Sequence, residues 1–192
     1  MRTYLILIYM MLQAIGCSVD KTIPLINVDE LKVLEEFQNL DVENIVEIAD
    51  EKETGEKLLL CLTILKKEDK TQLKEQRIKL FQANAKGEYE PSDSNDESTA
   101  RLKGEGITDG KGRILVKTIL PGDYGSRSDN RHIHTTIEVA TPEAYDIHFL
   151  QYANKGLKNF IKRSDQHFLV ELRYLENRTL IGFLIIEPKN IK

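Results

Sequence analysis

The chain has 192 residues, of which 41% are hydrophobic and 30% are charged, and its formal net charge is -4. This hydrophobic content is enough for one domain with a core of its own. Acidic and basic residues are mixed along the chain without a basic stripe, so we predict no nucleic-acid partner.

The first element is an apolar run at residues 4–12, which follows Arg2 and continues into the stretch AIGC at 14–17. A basic residue, a short apolar core and a small residue before the cut are typical of a secretory signal, and the run is too short for a membrane span. The stretch 14–17 also resembles a bacterial lipobox, in which Cys17 is lipidated. We predict a signal peptide at 1–16 and export to the bacterial cell envelope, periplasmic or outer-membrane, with a lipid anchor at Cys17. The alternative is an ordinary cleaved signal, an incidental Cys17 and a secreted protein.

Residues 17–56 are predicted to form a tether and a short helical segment. Apolar Leu31, Leu34 and Phe37 recur at helical spacing among acidic residues, which predicts an amphipathic helix over 28–40. The acidic stretch 41–56 is interpreted as an entry loop.

Residues 57–192 are predicted to form an all-β domain. Short β-rich runs alternate with turn residues and no long helical pattern follows residue 57, which predicts an antiparallel β-sandwich. The polar stretch 90–99 is interpreted as a loop, and Cys61, within an apolar run, as an inert core thiol without a disulfide partner if Cys17 is acylated. The predicted strands are 57–65, 77–82, 113–119, 131–139, 145–152, 167–174 and 179–186.

Two phenols and two imidazoles form the candidate ligand set, namely Tyr89, Tyr124, His132 and His134. Fe(III) is a hard cation that favours phenolate oxygen and accepts imidazole nitrogen, whereas zinc and calcium usually take other ligands. Residues i and i+2 of a strand point to the same face, so His132 and His134 can face one cation. The alternative is a pair of exposed histidines on a sheet face.

Four ordered blocks of sequence carry a family resemblance. These are residues 81–89, 108–113, 117–124 and 132–134, and together they resemble the catalytic domain of intradiol ring-cleavage dioxygenases of the catechol and protocatechuate type. The resemblance implies a β-sandwich that binds Fe(III) through the four candidate ligands. It also implies cleavage of a catechol-like aromatic by O2 to a muconate-type product.

The resemblance implies further roles for single residues. Tyr89 corresponds to a ligand that leaves the metal as substrate arrives and acts as a base. Arg127 is the candidate for stabilising charge on the substrate, with Arg131 as the alternative, and for either arginine the other interpretation is a solvated loop residue. His148 either lines the pocket as a donor, where the family often has Gln, or is a core histidine, and His167 is predicted to be structural.

Three functions fit these observations. The first is an exported intradiol dioxygenase. The second is a degenerate member of the same family that binds iron or a catecholate without turnover. The third is a transthyretin-like binding module without a metal.

Overall fold

The computed structural model describes residues 22–124 and 129–191. The predicted signal peptide, the lipid anchor at Cys17 and the candidate Arg127 therefore lie outside the described residues. Within the described part, no helix is long and apolar enough to cross a membrane.

The described residues form two packed five-stranded sheets and two short helices, which confirms the predicted β-sandwich with a helical segment before it. The first sheet has the order β1-β5-β2-β10-β9 and the second the order β4-β3-β6-β7-β8. The elements are α1 (Val28–Gln38), β1 (Ile45–Glu47), β2 (Lys57–Ile64), β3 (Arg77–Gln82), β4 (Leu102–Ile107), β5 (Arg113–Ile119), β6 (His132–Ile137), β7 (Ala144–Phe149), α2 (Lys155–Ile161), β8 (His167–Val170), β9 (Leu172–Tyr174) and β10 (Leu180–Ile186).

The strand pairings are mostly antiparallel, as predicted. In the described part of the chain the pairs β1–β5, β2–β10 and β7–β8 run parallel, and the pairs β9–β10, β2–β5, β3–β4, β3–β6 and β6–β7 run antiparallel. Strands β1 and β2 pair in parallel with strands that are distant in the chain, whereas the parallel strands β7 and β8 are consecutive and joined through α2. A β-rich composition alone predicts none of these parallel pairs.

Strand β2 is apolar at successive positions because both of its faces are buried. Leu58 and Leu60 pack into the core between the sheets, while Cys61 faces the other way, against Leu34 and Phe37 of α1. Both faces of the strand are therefore covered. Burial raises the pKa of the Cys61 thiol to about 12, which agrees with the predicted inert core thiol.

Strands β1 and β4 were not predicted, and they pack against each other. A Cβ on Gly104 would lie 2.7 Å from Val46 Cγ1, and a Cβ on Gly106 would lie 2.7 Å from Val46 Cγ2. The glycines of β4 lower its apparent strand propensity but let β1 pass close over it. Because β1 pairs with β5, the sandwich includes residues upstream of the predicted boundary at 57.

The predicted strand 167–174 is two strands in different sheets. Strand β8 extends the second sheet beside β7, and β9 extends the first beside β10. The buried Gln151 side chain accepts from Leu172 N at 3.1 Å and donates to Leu172 O at 3.1 Å, which satisfies the backbone where the chain changes sheets.

Candidate metal centre

The outer face of the second sheet carries a row of side chains in direct cross-strand register. Phe81 of β3 faces His134 of β6, His134 faces Asp146 of β7, and Asp146 faces His167 of β8. The next row pairs His132 with His148. All four histidines of the chain therefore lie on one face of the second sheet, although they are spread over residues 132–167.

His132 and His134 present the same nitrogen to one point. His132 Nδ1 lies 2.7 Å from the carbonyl oxygen of Asn130, and His134 Nδ1 lies 2.7 Å from Asp146 Oδ1. Both partners accept hydrogen bonds, so each neutral imidazole carries its proton on Nδ1 and a lone pair on Nε2. The two Nε2 atoms are only 3.1 Å apart.

This arrangement fits a metal ion. Two facing lone pairs repel unless a proton or a cation lies between them, and a hydrogen-bonded Nδ1 is the usual support of a histidine ligand that binds through Nε2. Burial lowers the pKa of His132, which keeps its imidazole neutral and able to act as a ligand.

Tyr89 completes this group of donor atoms. Its hydroxyl lies 2.9 Å from His134 Nε2, and the residue is only 7% exposed. Burial raises the pKa of Tyr89, so the phenol stays protonated unless a cation stabilises the phenolate. His134 Nε2 thus has the ionisable oxygen of Tyr89 at 2.9 Å and the Nε2 of His132 at 3.1 Å.

The turn before Tyr89 is organised by Asn84. Its Oδ1 accepts from Lys86 N at 2.8 Å and from Glu88 N at 3.1 Å, which closes the turn that leads to the tyrosine. Gln82, just upstream, donates to Ile119 O at 3.0 Å and accepts from Thr118 Oγ1 at 2.9 Å, so it links the two sheets. The polar residues of this motif therefore position Tyr89.

The segments that carry Tyr89 and Tyr124 touch backbone to backbone through two glycines. Gly87 has φ +86, and a Cβ there would lie 2.2 Å from Asp123 O. A Cβ on Gly122 would lie 2.3 Å from Gly87 N and 2.5 Å from Ala85 O. Only glycine allows this approach, which brings the two phenol rings together.

The ring of Tyr124 lies at the centre, and its hydroxyl is bonded to a carboxylate. Its ring is 5.0 Å from the Tyr89 ring and 6.1 Å from the His132 ring, centroid to centroid, and it is 46% exposed. Its hydroxyl donates to Glu97 Oε1 at 2.8 Å. This bond to a carboxylate raises the pKa of Tyr124. The polar loop 90–99 therefore contacts the candidate centre through Glu97.

Asp146 orients a candidate ligand of the centre through its bond to His134 Nδ1. Its Oδ1 bonds Nδ1 of His134, whereas Tyr89 and His132 approach Nε2 of that ring. Asp146, His132 and His134 also offer ligand atoms that lie within 4.8 Å of one another. Burial alone would raise the pKa of Asp146, but the bond from His134 and the neighbouring imidazoles outweigh burial, and the pKa lies below its usual range. Phe81 stacks on His134 with ring centroids 4.5 Å apart.

His148 and His167 lie next to the centre. His148 is 3% exposed, its ring centroid is 5.3 Å from that of His132, and its Nε2 lies 3.1 Å from His167 Nδ1. Burial lowers the pKa of His148 to about 4. His148 is therefore buried and lies beside a candidate ligand, and its role as a pocket donor stays a prediction.

Arg131 does not reach the candidate metal. Its guanidinium bonds Asp129 at 2.7 Å and lies 3.9 Å from the ring centroid of Tyr152, which packs on the core between the sheets. Arg127 lies outside the described residues, so its role stays a prediction.

Sequence reasoning missed four contributors, namely Asp146, Asn130, Glu97 and the position of His167 within the row. Asp146 lies two residues before His148 on a predicted strand, so a shared face could have been inferred. The other contacts depend on strand register and loop path.

The family model described as "Dioxygenase" matches residues 35–164. No curated protein sequence matches the chain.

Several solved structures are similar. The dioxygenase domain of a dioxygenase–carbohydrate-binding protein fusion from Streptomyces sp. SirexAA-E is 18% identical, with a TM-score of 0.57, over 74% of this chain and 86% of that one. An intradiol ring-cleavage dioxygenase from Tetranychus urticae is 17% identical, with a TM-score of 0.55, over 74% and 85%. Catechol 1,2-dioxygenase from Pseudomonas arvilla C-1 is 19% identical, with a TM-score of 0.56, over 77% of this chain and 56% of that one. At these identities the likeness establishes the fold alone.

Proposed function

Because the chain belongs to the intradiol ring-cleavage dioxygenase family, we propose that it cleaves a catechol-like aromatic with O2 to a muconate-type product. The observation that carries this proposal is the convergence of Tyr89 Oη, His132 Nε2 and His134 Nε2, with both Nδ1 atoms already bonded to acceptors. Phenolate with two neutral imidazoles suits ferric iron better than zinc or calcium.

Members of this family use non-haem iron, and four residues would hold it here. The donor atoms of Tyr89 and His132 both lie next to His134 Nε2, and Tyr124, whose ring packs near those of Tyr89 and His132, is the proposed fourth ligand. When bound, ferric iron would act as a Lewis acid and a template for the two catechol oxygens and O2. The protein supplies the orientation: Asn130 and Asp146 fix the imidazoles, and Gly87 and Gly122 fix the two tyrosine segments.

The two tyrosines have different roles in this proposal. The resemblance assigned the departing ligand to Tyr89, but burial favours Tyr124. Tyr89 is enclosed and bonded to His134, whereas Tyr124 is half exposed and has an alternative partner in Glu97. We propose that Tyr124, in its phenolate form, takes a proton on Oη from a substrate hydroxyl and leaves the substrate as its anion, and that the resulting phenol donates a hydrogen bond to Glu97 Oε1.

The proposal is tested with iron-loaded protein in an oxygen electrode. Catechol, hydroxyquinol and protocatechuate are supplied in turn, and the expected result is oxygen uptake with one of them, together with a ring-opened product. A reddish protein that takes up no oxygen supports the degenerate binding protein instead. A colourless protein after iron loading supports the binding module without a metal.

We further propose that the protein is exported and anchored by a lipid on Cys17, which rests on the basic residue, apolar run and AIGC stretch of residues 2–17. Metabolic labelling with a fatty acid in a bacterial host tests this. The label should appear in the wild type and be absent from Cys17→Ser. Equal labelling of both proteins would rule out the anchor.

A further inference from the structure

A second group of donor atoms lies at the other end of the outer-face row. His148 Nε2 lies 3.1 Å from His167 Nδ1, and His167 Nδ1 lies 3.4 Å from Asp146 Oδ2. The three atoms all lie within 4.8 Å of one another. They come from β7 and β8, whose parallel register sets Asp146 beside His167.

These spacings suit a metal ion. A tetrahedral zinc ion with bonds of about 2.0–2.1 Å to histidine and carboxylate ligands places its donor atoms roughly 3.3 Å apart. The two shorter distances of the group bracket that value. Small side-chain movements would bring the third pair into range, since Asp146 and His167 are each only partly enclosed.

This group shares Asp146 with the candidate iron centre but uses the other carboxylate oxygen and two other histidines. Asp146 uses Oδ1 for His134 Nδ1 and Oδ2 for His167, and His132 approaches the Nε2 of His134. The second group also contains no phenol. Its donors, two imidazoles and a carboxylate, suit borderline divalent ions rather than a hard trivalent one.

The hydrogen bonds of the second group are incomplete without a cation. If His167 Nδ1 carries the proton, that one proton faces both His148 Nε2 and Asp146 Oδ2; if His148 Nε2 carries it, His167 Nδ1 has no proton for Asp146 Oδ2. The buried His148 has no partner for its Nδ1 among the described residues, so its single polar contact is the one inside the group. A cation would interact with all three donor atoms at once.

We propose that Asp146, His148 and His167 bind a second metal ion, a divalent transition ion of the zinc type with one position open to water. The exposed quarter of the Asp146 and His167 side chains gives the ion a path from solvent. Phe160 of α2 packs edge-on against His167, with ring centroids 4.8 Å apart. The inference does not depend on the proposed dioxygenase activity.

The test measures iron and zinc per chain by elemental analysis after dialysis against both metals. Wild type should hold one zinc in addition to its iron. His167→Ala should lose the zinc and keep the iron, whereas His134→Ala should lose the iron and keep the zinc. Lys103→Ala is the matched control. Lys103 pairs with Phe81 at the far end of the same row, so this variant should keep both the iron and the zinc.

A second variant distinguishes the loss of a zinc ligand from the loss of the fold. His148→Gln keeps a polar side chain at the buried position and should also lose the zinc, with the fold checked by circular dichroism. Wild type that takes up no zinc overturns the proposal, and so does zinc that is retained by His167→Ala. Protein that binds zinc at His167 but no iron would refute the proposed function and leave this inference standing.

Discussion

His134 and Asp146 face each other across β6 and β7, and the imidazole Nδ1 donates to the carboxylate Oδ1 over 2.7 Å. A hydrogen-bond acceptor on Nδ1 fixes the tautomer and the ring plane of a metal-binding histidine. It also makes the Nε2 lone pair more basic, so that Nε2 binds a metal more strongly. The geometry of the candidate iron centre thus depends on a residue that is not among its proposed ligands.

The first prediction concerns this pair. Asp146→Asn keeps the size of the side chain but removes its charge, so it should weaken iron binding by about 10–100-fold, as for other supporting residues of metal sites. Competition with a chelator, followed by the tyrosinate-to-iron absorption, measures the affinity. Glu138→Gln is the control, because Glu138 is a carboxylate that bonds the exposed Lys79. Equal affinities in the two variants would show that Asp146 does not support His134.

The second prediction separates the two tyrosines. Tyr89→Phe removes the buried oxygen that converges with the two Nε2 atoms, so this variant should lose most iron and colour. Tyr124→Phe removes an exposed phenol and should retain part of the colour while turnover falls. Iron content and visible spectra of both variants decide between them. The reverse pattern would restore Tyr89 as the departing ligand.

The third prediction is a pH effect at Tyr124. Its hydrogen bond to Glu97 stabilises the protonated phenol and raises its pKa. In iron-free protein, Glu97→Gln should therefore lower the Tyr124 pKa toward the ordinary value of about 10. Ultraviolet titration of tyrosinate measures the change, and Tyr124→Phe identifies the transition that belongs to this residue. An unchanged titration in Glu97→Gln would mean that the bond does not form in solution.

The fourth prediction tests the glycine contact between the tyrosine segments. Gly122→Ala would place a methyl group 2.3 Å from Gly87 N, so the backbone must move, and we expect about 1–3 kcal/mol of destabilisation together with weaker iron binding. Thermal unfolding and iron titration measure the two effects. Gly110→Ala is the matched control, because no atom lies within 4 Å of a Cβ there. Two variants of equal stability would contradict the close approach.

The sequence predicted the strands that carry the centre because their patterns are local. Strand β3 has its predicted bounds, and β6 carries His132 and His134 on one face as the period of two requires. The partners Asp146 and His167 come from register across β7 and β8, and no local pattern encodes that register. Strand β4 was not predicted because two of its residues, Gly104 and Gly106, have low strand propensity. These glycines are needed for the close contact with Val46 of the other sheet.

The last prediction concerns the candidate guanidinium for charge on the substrate. Arg131 is held by Asp129 and stacked on Tyr152, so Arg131→Ala should leave turnover close to that of wild type. Arg127→Ala should lower turnover by ~10²–10³-fold, as expected when one electrostatic donor to a developing charge is removed. Iron content should be unchanged in both variants, because a guanidinium is not a metal ligand. Turnover is compared at equal iron loading. A large loss in Arg131→Ala with a normal rate in Arg127→Ala would transfer the role to Arg131, and normal rates in both would mean that neither arginine stabilises the substrate charge.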